Sequence, residues 1–211
     1  MDMKKMISIV FMLSCICIFS ACGNVSRNTS LSENNLNFAF SDYIGMRKNE
    51  ALSAMGLTDD DFTPSALQGK YDLTETAVFH DISFTTYLLF GNWEDTDDCL
   101  YGGGYEYISE SGEEQLLTVL REIAALMTTR YGEPSTYPTM AYRFEYLNEL
   151  SDLSPGAYFM ETWNASEQPA PEGEVSADAR EVTVRIENLD GRIRIAVQYQ
   201  IMNPLLQQNP G

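Results

Sequence analysis

Val182, Val184 and Ile186 alternate with polar residues, Asp190-Gly191 follows, and Ile193, Ile195, Val197, Tyr199 and Ile201 alternate again. A period of two marks half-buried strands, and Asp-Gly between two such runs marks a two-residue hairpin turn. The chain must therefore build a sheet with an apolar face, and that face needs a cover. A second alternating run, Ile82-Ser-Phe84-Thr-Thr86-Tyr-Leu88-Leu-Phe90, closes a β-patterned stretch from Leu73 to Phe90. The polar stretch 91–98 reads as a turn into another strand, Cys99 to Ile108, and Ala157 to Trp163 reads as a further strand. Gly102-Gly103-Gly104 interrupts the Cys99–Ile108 strand. Glycine in a strand costs backbone entropy, so this run predicts a bulge or a close approach by another element.

Two helices supply the cover. Ser111 and Glu114 have capping-box spacing, and Leu116, Leu117, Leu120, Ile123, Ala124, Met127 and Tyr131 form one apolar stripe. Gly132 and Pro134 stop that helix, predicted over 112–131. A shorter helix is predicted over 47–55, with Met46, Leu52 and Met55 on one face and Gly56 as its stop. Thr58 then caps a helical turn through Asp59-Asp60-Asp61. Residues 142–153 fit strand or helix equally, and 167–179 is a Pro- and Glu-rich loop. The expected fold class is α+β, an antiparallel sheet with helices packed on one face, in the order α-β-β-α-β-β-β. The absence of a βαβ rhythm argues against a two-lobed solute-binding architecture.

The N-terminus follows different physics. Lys4 and Lys5 precede an apolar run from Met6 to Phe19, broken only by Ser8 and Ser14. That run is short for a membrane span, which needs roughly 20 apolar residues, and suits a signal-peptide core. Small residues Ser20-Ala21 and then Cys22 follow Phe19. In Phe19-Ser20-Ala21-Cys22 the chain resembles the lipobox of bacterial lipoproteins, with Phe19 where leucine is usual. The resemblance implies cleavage before Cys22, a diacylglyceryl group on its sulfur and anchoring on the extracytoplasmic face of the cell membrane. The expected organisation is a signal peptide over 1–21, a lipidated end and polar tether over 22–37, and one acidic domain over 38–211, with possible sub-halves 38–134 and 135–211.

A second resemblance rests on Ile44-Gly45-Met46-Arg47-Lys48-Asn49-Glu50-Ala51-Leu52-Ser53-Ala54-Met55-Gly56. This stretch is similar to the helix opening small envelope modules of the SmpA/OmlA type, themselves similar in shape to β-lactamase inhibitor protein repeats. The segment Leu100 to Pro134 is similar to strand-helix segments of Gram-positive lipoproteins. These resemblances imply a protein-binding module rather than an enzyme.

Charge narrows the partners. Without residues 1–21, which carry Asp2, Lys4 and Lys5, there remain 30 acidic and 11 basic residues, a formal charge of −19. Such a surface repels nucleic-acid phosphates and anionic headgroups, so no nucleic-acid partner is expected and the membrane is met only through lipid. Cys15 and Cys17 leave with the signal peptide and Cys22 carries lipid, so Cys99 is left as the thiol of the mature domain.

Catalytic constellations are sparse. His80 is the only histidine, and nothing in sequence brings it to Cys99 for a nucleophile–base pair. Three or four zinc ligands at suitable spacing are missing, so no cofactor or metal is expected. The acidic runs 59–61 and 94–98 lack the calcium-loop pattern: counting from Asp95, Leu100 stands sixth, where glycine is needed. Paired carboxylates for glycan hydrolysis stay an alternative, as does a small-ligand sensor with a pocket between helix and sheet. The leading expectation is a non-enzymatic binding or scaffolding module that meets an envelope protein or extracellular ligand. Trp93, Tyr101 and Trp163 are its candidate recognition residues, with Trp93 the expected exposed anchor.

Substituting Cys22→Ala is expected to abolish incorporation of a clickable fatty acid and to release the protein from the membrane fraction. Label retained by the variant would remove the lipobox assignment.

Overall fold

The computed structural model describes residues 36–63, 65–93, 96–109, 115–135, 143–166 and 179–202. Helix α1 spans Lys48–Met55, and the backbone explains its stop: Gly56 turns left-handed at φ 68°, and its N–H and that of Leu57 bond back to Ser53 O (3.1 Å) and Leu52 O (2.8 Å). Met46 precedes the helix and is exposed rather than sharing the buried face of Leu52. Its carbonyl accepts from Leu100 N–H at 2.9 Å, while Gly45 N–H donates to Leu100 O at 2.8 Å, which pins the helix entrance to a strand. The Thr58 backbone N–H and hydroxyl both donate to Asp61 Oδ2, at 2.7 and 2.9 Å, capping a 3-10 turn over Asp59–Asp61.

Seven strands follow: β1 Phe62–Thr63, β2 Lys70–Phe79, β3 Ile82–Trp93, β4 Thr96–Ser109, β5 Tyr158–Asn164, β6 Arg180–Leu189 and β7 Arg192–Ile201. They form one antiparallel sheet in the order β1-β2-β3-β4-β7-β6-β5. Helix α2, Gln115–Tyr131, separates β4 from β5; Ser111 and Glu114 lie outside the described residues. The fold is thus α+β and dominated by its sheet. Among the described residues four strands, not two, stand between the helices: the stretch from Leu73 to Phe90 folds back on itself as β2 and β3, and the short β1 precedes it. His80 and Asp81 take φ 47° and 63°, and Phe79 pairs with Ile82, the two-residue hairpin geometry that normally selects Asn or Gly. The predicted turn 91–98 is also shorter than expected, since Trp93 pairs with Thr96.

Two meanders, β1–β4 and β5–β7, meet where β4 pairs with β7. Their inward residues share one buried cluster: Phe84, Leu88 and Phe90 from the first, Val182, Val184, Ile186, Ile195 and Val197 from the second. Leu116, Val119, Leu120, Ile123 and Met127 of α2 and Ala51 and Leu52 of α1 belong to the same cluster. The polar tether predicted through residue 37 is shorter than that. Leu36 is fully buried, its carbonyl accepts from Arg130 at 2.9 Å, and the Asn37 carbonyl accepts from the Tyr105 hydroxyl.

The glycine run sits at the meeting of the meanders and meets both expectations. A register shift lies opposite it, between Leu89 and Phe90. A Cβ on Gly102 would stand 2.7 Å from Tyr199 O, one on Gly103 2.6 Å from Tyr87 O, and one on Gly104 2.0 Å from Val197 O. Phe40 uses the space over Gly103, its ring 3.0 Å from where that Cβ would be. Gly104→Ala is therefore expected to cost about 3 kcal/mol, because the obstacle is backbone that cannot step aside. Urea unfolding checks this; an unchanged midpoint would show that β4 and β7 separate more easily than their pairing implies.

Candidate functional site

Every second strand residue points away from the core, and on this opposite face the polar residues are joined to one another. The two-residue turn at Asp190-Gly191 pairs Leu189 with Arg192, which sets Glu187 opposite Arg194. Arg194 Nη1 lies 2.7 Å from Glu187 Oε1, and its Nη2 bonds Glu106 of β4. Lys70 Nζ lies 3.1 Å from the other Glu106 oxygen and 3.0 Å from Asp72. At the far end Arg185 Nη2 lies 2.5 Å from Glu187 Oε2, and its guanidinium sits 4.4 Å from the Tyr158 ring centroid. Charge therefore alternates without a break from β2 to β6: Asp72, Lys70, Glu106, Arg194, Glu187, Arg185. All six come from strands.

A second branch, with neutral side chains between its charged ends, crosses the same face. Lys70 Nζ lies 4.7 Å from the Tyr87 ring centroid, and the Tyr87 hydroxyl is 3.3 Å from Gln198 Oε1. Gln198 bonds Gln200, whose Nε2 donates to Glu181 Oε1 at 2.6 Å. Gly104 makes this branch possible, since a Cβ there would lie 3.0 Å from the Tyr87 hydroxyl. Burial pushes the Tyr87 pKa above the ordinary phenol range and the Glu106 charge adds to it, so Tyr87 stays a neutral donor. Burial works against the Arg194 charge, yet Glu106 and Glu187 outweigh it and hold its pKa above the ordinary guanidinium value.

Of the three aromatics expected to make a recognition surface, the two whose side chains are described stand apart. Trp163 is completely buried on the core face, with Nε1 3.2 Å from Thr128 Oγ1 of α2, so it is a packing residue and is withdrawn from that surface. Its strand register decides this, for Trp163 pairs with core residue Val182. Tyr101 is half-buried at the β3–β4 bulge against Gly91, and burial raises its pKa. The Trp93 side chain and Cys22 lie outside the described residues. The ladder was missed because its members looked like the solvated half of each alternation, although the Asp190-Gly191 register was enough to pair Glu187 with Arg194.

Cys99 and His80 are held apart. Cys99 is buried and pairs with Gly91 near the far end of β3, while His80 lies in the turn before Ile82. Nine strand residues separate Ile82 from Gly91, roughly 30 Å. The His80 Nε2 atom is 2.8 Å from Glu122 of α2. Among the described residues no group of His, Cys, Asp or Glu is placed to hold a metal ion. Comparison of the chain with protein-family models, with curated proteins and with solved structures returned no match.

Glu161 stands apart as a carboxylate whose pKa burial raises, against the Phe144 N–H at 3.3 Å and Arg143 at 3.7 Å. It pairs with Val184 and so lies on the core side of β5, away from the ladder. Its folded-state pKa exceeds the unfolded value, so the native state binds the proton more tightly. Its contribution to stability is greatest below the unfolded value and is lost as pH rises through the raised one. Glu161→Gln, which keeps an acceptor for Phe144, is expected to raise Tm at pH 7 and leave it unchanged near pH 4. A Tm loss at pH 7 would mean that the Arg143 pairing outweighs desolvation.

Proposed function

We infer that this chain is an extracytoplasmic lipoprotein, anchored through Cys22, whose domain is a non-enzymatic binding module. In this reading both helices cover the apolar face of the sheet, and the opposite face meets an envelope protein or extracellular ligand. The supporting observation is the charge ladder. Six ionic side chains on a sheet face would ordinarily lose considerable rotamer entropy on being fixed by a partner. Here folding has already fixed them: the side chains of Lys70 and Glu187 are only 8 % and 9 % exposed. A pre-ordered surface of alternating sign discriminates partners by register, since a one-step slip sets like charges together.

The reading is tested by placing a photo-crosslinking residue at Thr183, on the polar face, and separately at Glu122, on α2. In intact cells the Thr183 position is expected to capture a discrete partner and the Glu122 position to capture none. Capture from α2 alone would move the recognition surface to the helices. Turnover of a cell-wall glycan by the purified protein would replace this reading with that of a hydrolase.

A further inference from the structure

Over β5, β6 and β7 the polar face sinks into a groove of about 350 Å³, within the range of small-ligand sites. Its origin is a difference in side-chain length. Thr162, Thr183 and Ala196 are short and form the floor, the two threonine hydroxyls 3.4 Å apart, while longer side chains rise around them. Its two ends are opposite in charge. Arg185 ends the ladder, meets Glu187 through one nitrogen and keeps 40 % of its side chain exposed. Glu181 lies at the other end, one oxygen oriented by Gln200. Arg194 also borders the groove, but both its terminal nitrogens are held by Glu106 and Glu187, so its charge is already answered.

Arg185 and Glu181 are both outward residues of β6, four positions apart, which places their Cα atoms about 13 Å from each other. Their side chains can lean inward over the floor. A dipolar ligand roughly 10 Å long fits between them, the length of three extended residues. Between the ends the floor offers the two threonine hydroxyls, each able to donate and to accept, as a ligand with its own amides requires. We propose that this groove binds a short zwitterionic peptide of about three residues, its carboxylate at Arg185 and its ammonium at Glu181. The proposal rests on the polar face being the recognition surface and names the ligand class for one part of it.

The test is calorimetric titration of the detergent-solubilised full chain with trialanine, N-acetyl-trialanine, trialanine amide and the doubly blocked peptide. Trialanine is expected to bind saturably, and blocking either end to weaken binding at least tenfold. Arg185→Gln is expected to erase the distinction between trialanine and its amide only. Glu181→Gln is expected to erase the distinction between trialanine and its acetylated form only. Ala196→Leu fills the floor without touching a charge and is expected to abolish binding, with far-UV circular dichroism confirming the fold of each variant. No saturable binding, equal binding of the doubly blocked peptide, or charge discrimination that survives both substitutions would overturn the proposal. Those results would leave partner capture at Thr183 untouched, whereas loss of that capture as well would end the wider reading.

Discussion

The pairing of β4 with β7 is the contact on which the rest depends, and Gly102-Gly103-Gly104 is what permits it. Residues of both meanders and of α2 make up one buried cluster, so neither meander alone completes it. At the seam the backbones come so close that Gly104 leaves no space for a methyl group before Val197 O. The same lack of side chains serves both faces. On the core side Phe40 lies against Gly103, with Phe38 and Tyr199 beside it at ring-centroid distances of 6.0 and 6.2 Å. On the polar side Tyr87 spans Gly104 to reach Gln198. A run that looks like a weakness in a strand is the place where two halves of a sheet are fitted together.

The parts of the chain that were legible share a property: their signal is local. The β6–β7 hairpin could be read because Asp190-Gly191 takes the φ angles, 53° and 96°, that its composition advertises. The α1 stop at Gly56 and the Thr58 cap were legible for the same reason. The His80-Asp81 turn adopts equivalent angles with residues that do not advertise them, so the hairpin there is imposed by the packing of Phe79, Ile82 and Phe84. Trp163 shows the complementary limit. Its residue type favours recognition surfaces, but its burial was decided by β5 pairing with β6, a register that no short-range signal sets. The charge ladder joins residues 70 to 194 and needed the full strand order before it could be seen.

The ladder also answers a question of charge. A chain so acidic has few cations to place, and Lys70, Arg185 and Arg194 stand on one face among three carboxylates. Desolvating such groups is costly unless each is paired on both sides, and alternation is the arrangement that does this along a line. Lys70, Glu106 and Glu187, each paired on both sides, are accordingly the best buried, and Arg185, at the end, is the most exposed. Excess negative charge elsewhere is left to solvent and salt, where screening confines it to roughly 8–10 Å.

The sheet edges are closed to further strands. A strand edge recruits other chains through unmet backbone groups unless something blocks it. Here β1 extends only two residues along β2, and beyond it β2 is irregular between Asp72 and Thr76 and exposes Glu75. At the other edge Ser135 N–H already donates to Thr162 O of β5. Bulge, charge and a capped carbonyl all work against strand addition at these edges. What the sheet offers instead is side chains, held in register by the strands beneath them and by each other. The proposed recognition would read charge and shape rather than backbone, and it would depend on the same β4–β7 seam that holds Glu106 against Arg194.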